Sequence, residues 1–153
     1  MANTYTQLNI HAVFAVQGRE NILNATIRKR IFEYIHGTIK GLGLFPLAVN
    51  GYTDHLHIFF ELNPSVTISK ILQQVKSCSS RWINENHLLP GKFLWQEGYG
   101  AFSYSRSQRD RVIQYIIEQE KHHKRNTFKE EYLSFLRQFE IDYNEKYLFE
   151  FYD

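Results

Sequence analysis

His55 and His57 stand either side of Leu56 in a run of extended character. At that spacing both imidazoles fall on one side of a strand and can converge on a single cation. Asp54 is placed to orient one ring, as outer acceptors do around metal-bound histidines. A bare pair is weak evidence by itself, and two inert, hydrogen-bonded histidines on a polar strand face are the favoured reading without supporting residues. Tyr115 and Gln119 form a second pair, four residues apart in a helical segment. At about 100° per residue, Gln119 lies within roughly 40° of Tyr115, and Val112, Ile113, Ile116 and Ile117 centre roughly 130° away. Arg111 and His122 flank the Tyr115 side. Tyr115 is therefore on the polar face of its helix, either as a surface aromatic or as a group aimed into a site. A phenol is a nucleophile only with help, because its reference pKa is about 10.

The two pairs fit one mechanism. His55, His57 and the Gln119 carbonyl are neutral ligands, so most of a divalent cation's charge would remain to polarise a phosphate. Substrate oxygens in the open positions suit Mg2+ or Mn2+, whereas imidazoles alone suit zinc. Attack by Tyr115 on a phosphodiester would leave a phosphotyrosine ester, which conserves the bond energy and lets strands rejoin without ATP. His11 is expected on the same sheet face as the pair, as a spare ligand or a hydrogen-bonding neighbour. His122 and His123 are adjacent on a helix and do not share a direction. They read as a charge pair at the helix C-terminus.

These side chains need elements to position them. Residues 4–16 alternate, with Leu8, Ile10, Ala12, Phe14 and Val16 on one side and Gln7, Asn9 and His11 on the other, as in a strand. Ile27, Ile31, Ile35 and Ile39 give a helix over 24–40, stopped by Gly41 and Gly43. Residues 44–50 and 54–61 read as strands. A second helix over 67–84 carries Ile68, Ile71, Leu72, Val75, Cys78 and Trp82 on one stripe. Residues 93–104 read as a fourth strand, bent at Gly98 and Gly100. A third helix is expected over 107–123 and a shorter one over 127–138. The order β-α-β-β-α-β is the ferredoxin-like plan, an α+β fold with an antiparallel sheet, helices on one face and further C-terminal helices. Its first and third strands are central neighbours. The face bearing Asn9, His11, His55 and His57 must then meet solvent, a ligand, a partner or the third helix.

The 153 residues suggest one domain, divided into a core over 1–106, the tyrosine helix over 107–123 and a C-terminal segment over 124–153. A composition 43% hydrophobic and 16% aromatic is ample for a core. One cysteine, Cys78, excludes an internal disulfide or a cysteine-based zinc site. No apolar run approaches the roughly 20 residues of a membrane span, and the N-terminus lacks signal-peptide character, so a cytoplasmic protein with no membrane partner is expected. Net charge is +2 but uneven: residues 1–125 carry +6 and residues 126–153 carry −4. A basic body can attract a polyanion. Lys70, Lys76 and Arg81 on the second helix, with Arg106, Arg109 and Arg111 at the start of the third, are the candidate phosphate contacts. Phe59, Trp95 and Tyr99 are candidates for stacking on bases.

Taken together, these segments resemble the HUH-type single-tyrosine transposases of the insertion sequence 200/605 group. The resemblance runs through Tyr5-Thr6-Gln7, Asp54-His55-Leu56-His57, the stretch from Trp95 to Ser103, Tyr115-Ile116-Ile117-Glu118-Gln119 and Lys129-Glu130-Glu131-Tyr132. It implies Tyr115 as nucleophile, through a 5′-phosphotyrosine intermediate, and His55, His57 and Gln119 as ligands of Mg2+ or Mn2+. It implies single-stranded DNA with hairpin-bearing ends as partner. It also implies a homodimer in which each site takes its histidines from one subunit and its tyrosine helix from the other. A host-adopted nickase acting on repeated hairpins, and a non-catalytic ferredoxin-like nucleic-acid-binding module, are the alternative readings. The acidic C-terminal segment has no derivable catalytic role. Its Phe128, Tyr132, Leu133, Phe135 and Leu136 read as packing or dimer contacts.

Overall fold

The computed structural model describes residues 3–152. Four strands form one antiparallel sheet: β1 (Asn9–Ala15), β2 (Phe45–Gly51), β3 (His55–Glu61) and β4 (Gly100–Tyr104), in the order β2-β3-β1-β4. Helices α1 (Ala25–Gly41) and α2 (Ile68–Glu85) supply the two crossovers, so the fold is ferredoxin-like, as expected. β1 and β3 are central, and all of β1 is buried. One face of this central pair, Ile10, Ala12, Phe14, Leu56, Ile58 and Phe60, joins the core that α1 and α2 complete.

The Asn24 side chain caps α1 by accepting from the Ile27 amide, and Ile31, Ile35 and Ile39 are buried along it. Thr67 caps α2 in the same way. The buried stripe of α2 differs from the expected one: Ser79 and Ile83 are inside, while Cys78 and Trp82 are half-buried. The polar Ser79 is tolerated because its hydroxyl donates to the Val75 carbonyl at 2.6 Å and accepts from Trp95 Nε1 at 2.9 Å. Trp82 instead stacks on Tyr34 at the α1–α2 rim, ring centroids 4.4 Å apart.

The fourth strand is shorter than its aromatic pattern. Trp95 makes one isolated bridge to Val16, the chain turns at Gly98 with φ +84°, and regular pairing begins at Gly100. The β2–β3 hairpin needs a glycine at its close. A Cβ on Gly51 would sit 2.2 Å from the His55 carbonyl oxygen.

The helix expected over 107–123 is not continuous. A 3-10 turn (Arg106–Gln108) leads into α3 (Arg109–Ile117), the chain breaks at Glu118, and α4 (Gln119–His123) follows. No Gly or Pro causes the break. Asn50 Nδ2 donates to the carbonyls of Ile116 and Ile117 at 2.8 and 3.0 Å, taking oxygens that a continuing helix would use. Helix α5 (Phe128–Gln138) agrees with expectation and is fixed by a capping box between Thr127 and Glu130.

Candidate active site

The second face of the sheet meets protein. Asn9, His11, His55 and His57 lie on it as expected, and all four are buried. Val112 and Ile116 of α3 pack on Phe59. Phe128 of α5 stacks on the His55 ring at 4.0 Å, and Phe135 meets His11 edge-on at 5.2 Å. Of the four alternatives for this face, the tyrosine helix takes part of it and the C-terminal helix the rest.

His55 donates from Nδ1 to Asp54 Oδ1 at 2.8 Å, which turns its Nε2 inward. His57 is held from behind by His11, whose Nε2 lies 2.7 Å from His57 Nδ1, so His11 is the hydrogen-bonding neighbour. Gln119, now on α4, brings its carbonyl oxygen to 3.1 Å from His55 Nε2. Tyr115 points the same way, and its hydroxyl donates to Glu131. Its flank stacks on His122 at 4.4 Å. The polar helix face read from the sequence is thus an inward face, covered by α5. All these groups come from one chain; the tyrosine helix lies beside its own histidines.

Glu131 is the residue that sequence reasoning missed. Its Oε1 lies 3.1 Å from His57 Nε2, 3.3 Å from His55 Nε2 and 3.4 Å from His123 Nε2. Its Oε2 accepts from Gln119 Nε2 at 3.1 Å and from Tyr115. A signal for it was present. Phe128, Tyr132, Phe135 and Leu136 define the buried stripe of α5, and position 131 lies on that stripe, where a carboxylate needs partners. His123 was also misjudged. It lies in the last turn of α4 but points inward, its Nε2 3.1 Å from Gln119 Oε1.

Electrostatics follow from this burial. Burial alone would depress His55, but its bonds to Asp54 and Glu131 outweigh that and raise its pKa to about 9. Burial keeps His57 below its ordinary value despite Glu131, and it holds His11 well below. Burial would raise Glu131, yet the three surrounding histidines hold its carboxyl well below the usual carboxylate range. Tyr115 is pushed up, by burial first and then by the charge of Glu131.

His55, His57 and Glu131 each offer an atom close enough to the others to hold one metal ion. Their donor set, two imidazoles and a carboxylate beside an amide oxygen, fits a divalent cation. A carboxylate thus sits beside the neutral set expected from sequence, His55, His57 and Gln119. Beside Tyr115 and Glu131 is a cavity of about 500 Å3, also lined by Arg111, His122, His123 and Arg137.

The candidate DNA contacts divide. Lys70, Arg81, Arg106 and Arg111 are exposed. Lys76 instead donates to the carbonyls of Gln96 and Gly98 at 2.6 and 2.8 Å, tying down the bend before β4. Arg109 is buried and pairs with Glu61 at 3.4 Å. Among the aromatics, Phe59 and Trp95 are core residues and Tyr99 is exposed.

Residues 4–119 match the family model described as "Transposase IS200 like". The chain belongs to the IS200-like transposase family. The match ends at Gln119, so α5 and Glu131 lie beyond it. None of the curated proteins matches the chain. Among solved structures, a candidate transposase from Deinococcus radiodurans R1 is similar at 22% identity and TM-score 0.62, over 78% of this chain and 95% of that one. A REP-associated tyrosine transposase bound to a REP hairpin is similar at 13% identity and TM-score 0.59, over 80% of this chain and 73% of that one. At these identities the likeness is one of fold. Among the described residues no helix is long and apolar enough to cross a membrane.

Proposed function

We propose that this transposase-family chain cleaves and rejoins single-stranded DNA at hairpin-bearing element ends, with Tyr115 as nucleophile. The observation that carries the reading is the meeting of Tyr115 and Gln119 on one carboxylate that also spans His55 and His57. Two side chains of a broken helix and two of a strand converge there, and a purely structural histidine pair does not need the tyrosine.

In the proposed step the Tyr115 oxygen forms a bond to phosphorus, the bond from phosphorus to the 3′ oxygen breaks, and that oxygen takes up a proton. The product is a 5′-phosphotyrosine and a free 3′ hydroxyl. Reversal with a different 3′ hydroxyl rejoins strands. The hydrogen bond to Glu131 aims the phenol and gives its proton a first acceptor. That transfer is uphill unaided, because the phenol is pushed up and the carboxyl is held down. His55, His57 and Gln119 would hold a divalent cation, Mg2+ or Mn2+, which supplies a positive field that polarises the phosphate and eases loss of the phenol proton. Arg111, His122 and Arg137 around the cavity suit a phosphodiester backbone entering beside Tyr115. The REP-associated relative, solved bound to a REP hairpin, supports a hairpin-bearing strand as the substrate. A homodimer belongs to the same reading.

The test incubates the protein with hairpin-bearing single strands from the flanks of its gene, plus Mg2+ or Mn2+. Wild type should form a covalent protein–DNA adduct, and Tyr115→Phe should form none. His57→Ala should also lose cleavage while retaining most DNA binding. An equal adduct from Tyr115→Phe would remove Tyr115 as nucleophile.

A further inference from the structure

We propose that Glu131 is itself a metal ligand, so that the cation ties helix α5 to the sheet and the C-terminal segment completes a centre begun by His55 and His57. This rests on the divalent centre proposed above and extends it past the family match, which stops at Gln119.

The argument begins with spacing. Glu131 Oε1 is 3.1 Å from His57 Nε2 and 3.3 Å from His55 Nε2, and Gln119 Oε1 is 3.1 Å from His55 Nε2. These separations serve hydrogen bonds as they stand. They are also close to the separation of neighbouring ligands around one small cation, about 3 Å for donors roughly 2.1 Å from the ion. Of these four residues, His55, His57 and Glu131 have ligand atoms that all lie near one another, so little rearrangement is needed to share an ion.

Support around the site points the same way. Asp54 behind His55 and His11 behind His57 fix both rings from outside, the arrangement found around metal-bound imidazoles. Glu131 is fixed too, because α5 is capped at Thr127 and Phe128 stacks on the His55 ring. A carboxylate on a buried helical stripe is costly unless it has a dedicated partner, and a divalent cation is the strongest one this donor set can take. The two oxygens also divide the work. Oε1 faces the histidines, and Oε2 holds Tyr115 and the Gln119 amide. One side chain thereby sets the distance between nucleophile and metal.

The test is metal binding without DNA. Mn2+ affinity is measured by isothermal titration calorimetry on wild type, Glu131→Gln and Glu131→Ala. Loss of the carboxylate should weaken Mn2+ binding at least about tenfold. Mn2+ should slow amide exchange across Phe128–Gln138 in wild type and leave it unchanged in Glu131→Gln. Glu131→Gln keeps the shape of the side chain, so it decides the question if Glu131→Ala does not fold. Affinity equal to or tighter than wild type in Glu131→Gln would overturn the proposal, since the carboxylate would then be occupying the metal position. The two readings fail separately. Glu131-dependent Mn2+ binding without a Tyr115 adduct sinks the proposed reaction alone, and an adduct with Glu131-independent binding sinks this inference alone.

Discussion

Arg109 and Arg111 stand two residues apart, and the sequence gives no reason to separate them. The fold does: Arg109 is buried against Glu61, while Arg111 lines the cavity beside Tyr115. Their substitutions should therefore separate. Arg109→Met should lower unfolding stability by about 1 kcal/mol, a discounted figure because Glu61 is one-third exposed. Arg111→Met should leave stability within about 0.5 kcal/mol. Its effect should appear in single-strand binding, where losing one phosphate contact lowers the slope of log K against log salt by about 0.7. Denaturant titration and binding at several salt concentrations read the two effects, and a salt slope unchanged in Arg111→Met would place the phosphates elsewhere. The same limit applies to Glu131. His55, His57, Tyr115 and Gln119 could be picked out because residue type and local period carried the signal. Glu131 could be placed only once α5 was known to lie on the histidine face, although its position on an apolar stripe was visible.

At the scale of elements, strand and helix order was legible because each element repeats its own period. Burial of Ile31, Ile35 and Ile39 follows directly from their spacing. The break at Glu118 was not legible, because its cause is 66 residues away in sequence: Asn50 on β2 captures the carbonyls of Ile116 and Ile117. The segment after the break matters for chemistry, since it carries both Gln119 and His123 to the histidine–carboxylate cluster. Asn50→Ala should remove both bonds and leave two carbonyls without this donor, at a cost of about 1–2 kcal/mol. It should also slow adduct formation, because Gln119 is no longer held at the histidines. A thermal melt and an adduct time course check both effects. Wild-type behaviour in each would mean that the bend is set by packing, with Asn50 only following it.

Over the whole molecule, the question is which chain supplies the tyrosine. The family resemblance implies exchange between subunits, whereas here Tyr115 reaches Glu131 of its own chain and its ring lies 6.1 Å from its own His57. Three connections hold this arrangement together: the Asn50 bonds to the end of α3, the packing of Val112 and Ile116 on Phe59, and the α5 carboxylate. Exchange would require the first two to break or to be remade with a partner. Their loss would expose apolar surface and orphan carbonyls unless a partner subunit remade the same contacts. Mixing distinguishes the cases. Tyr115→Phe and His57→Ala are each expected to be inactive alone. If every site is built within one chain, their mixture should stay inactive at any ratio. If helices exchange in a dimer, an equimolar mixture forms hybrid dimers with one intact site, and adduct should return to about one-quarter of the wild-type level by statistical pairing of chains. Sites built within one chain predict no recovery, and recovery near one-quarter would show that α3 and α4 serve the histidines of a partner subunit.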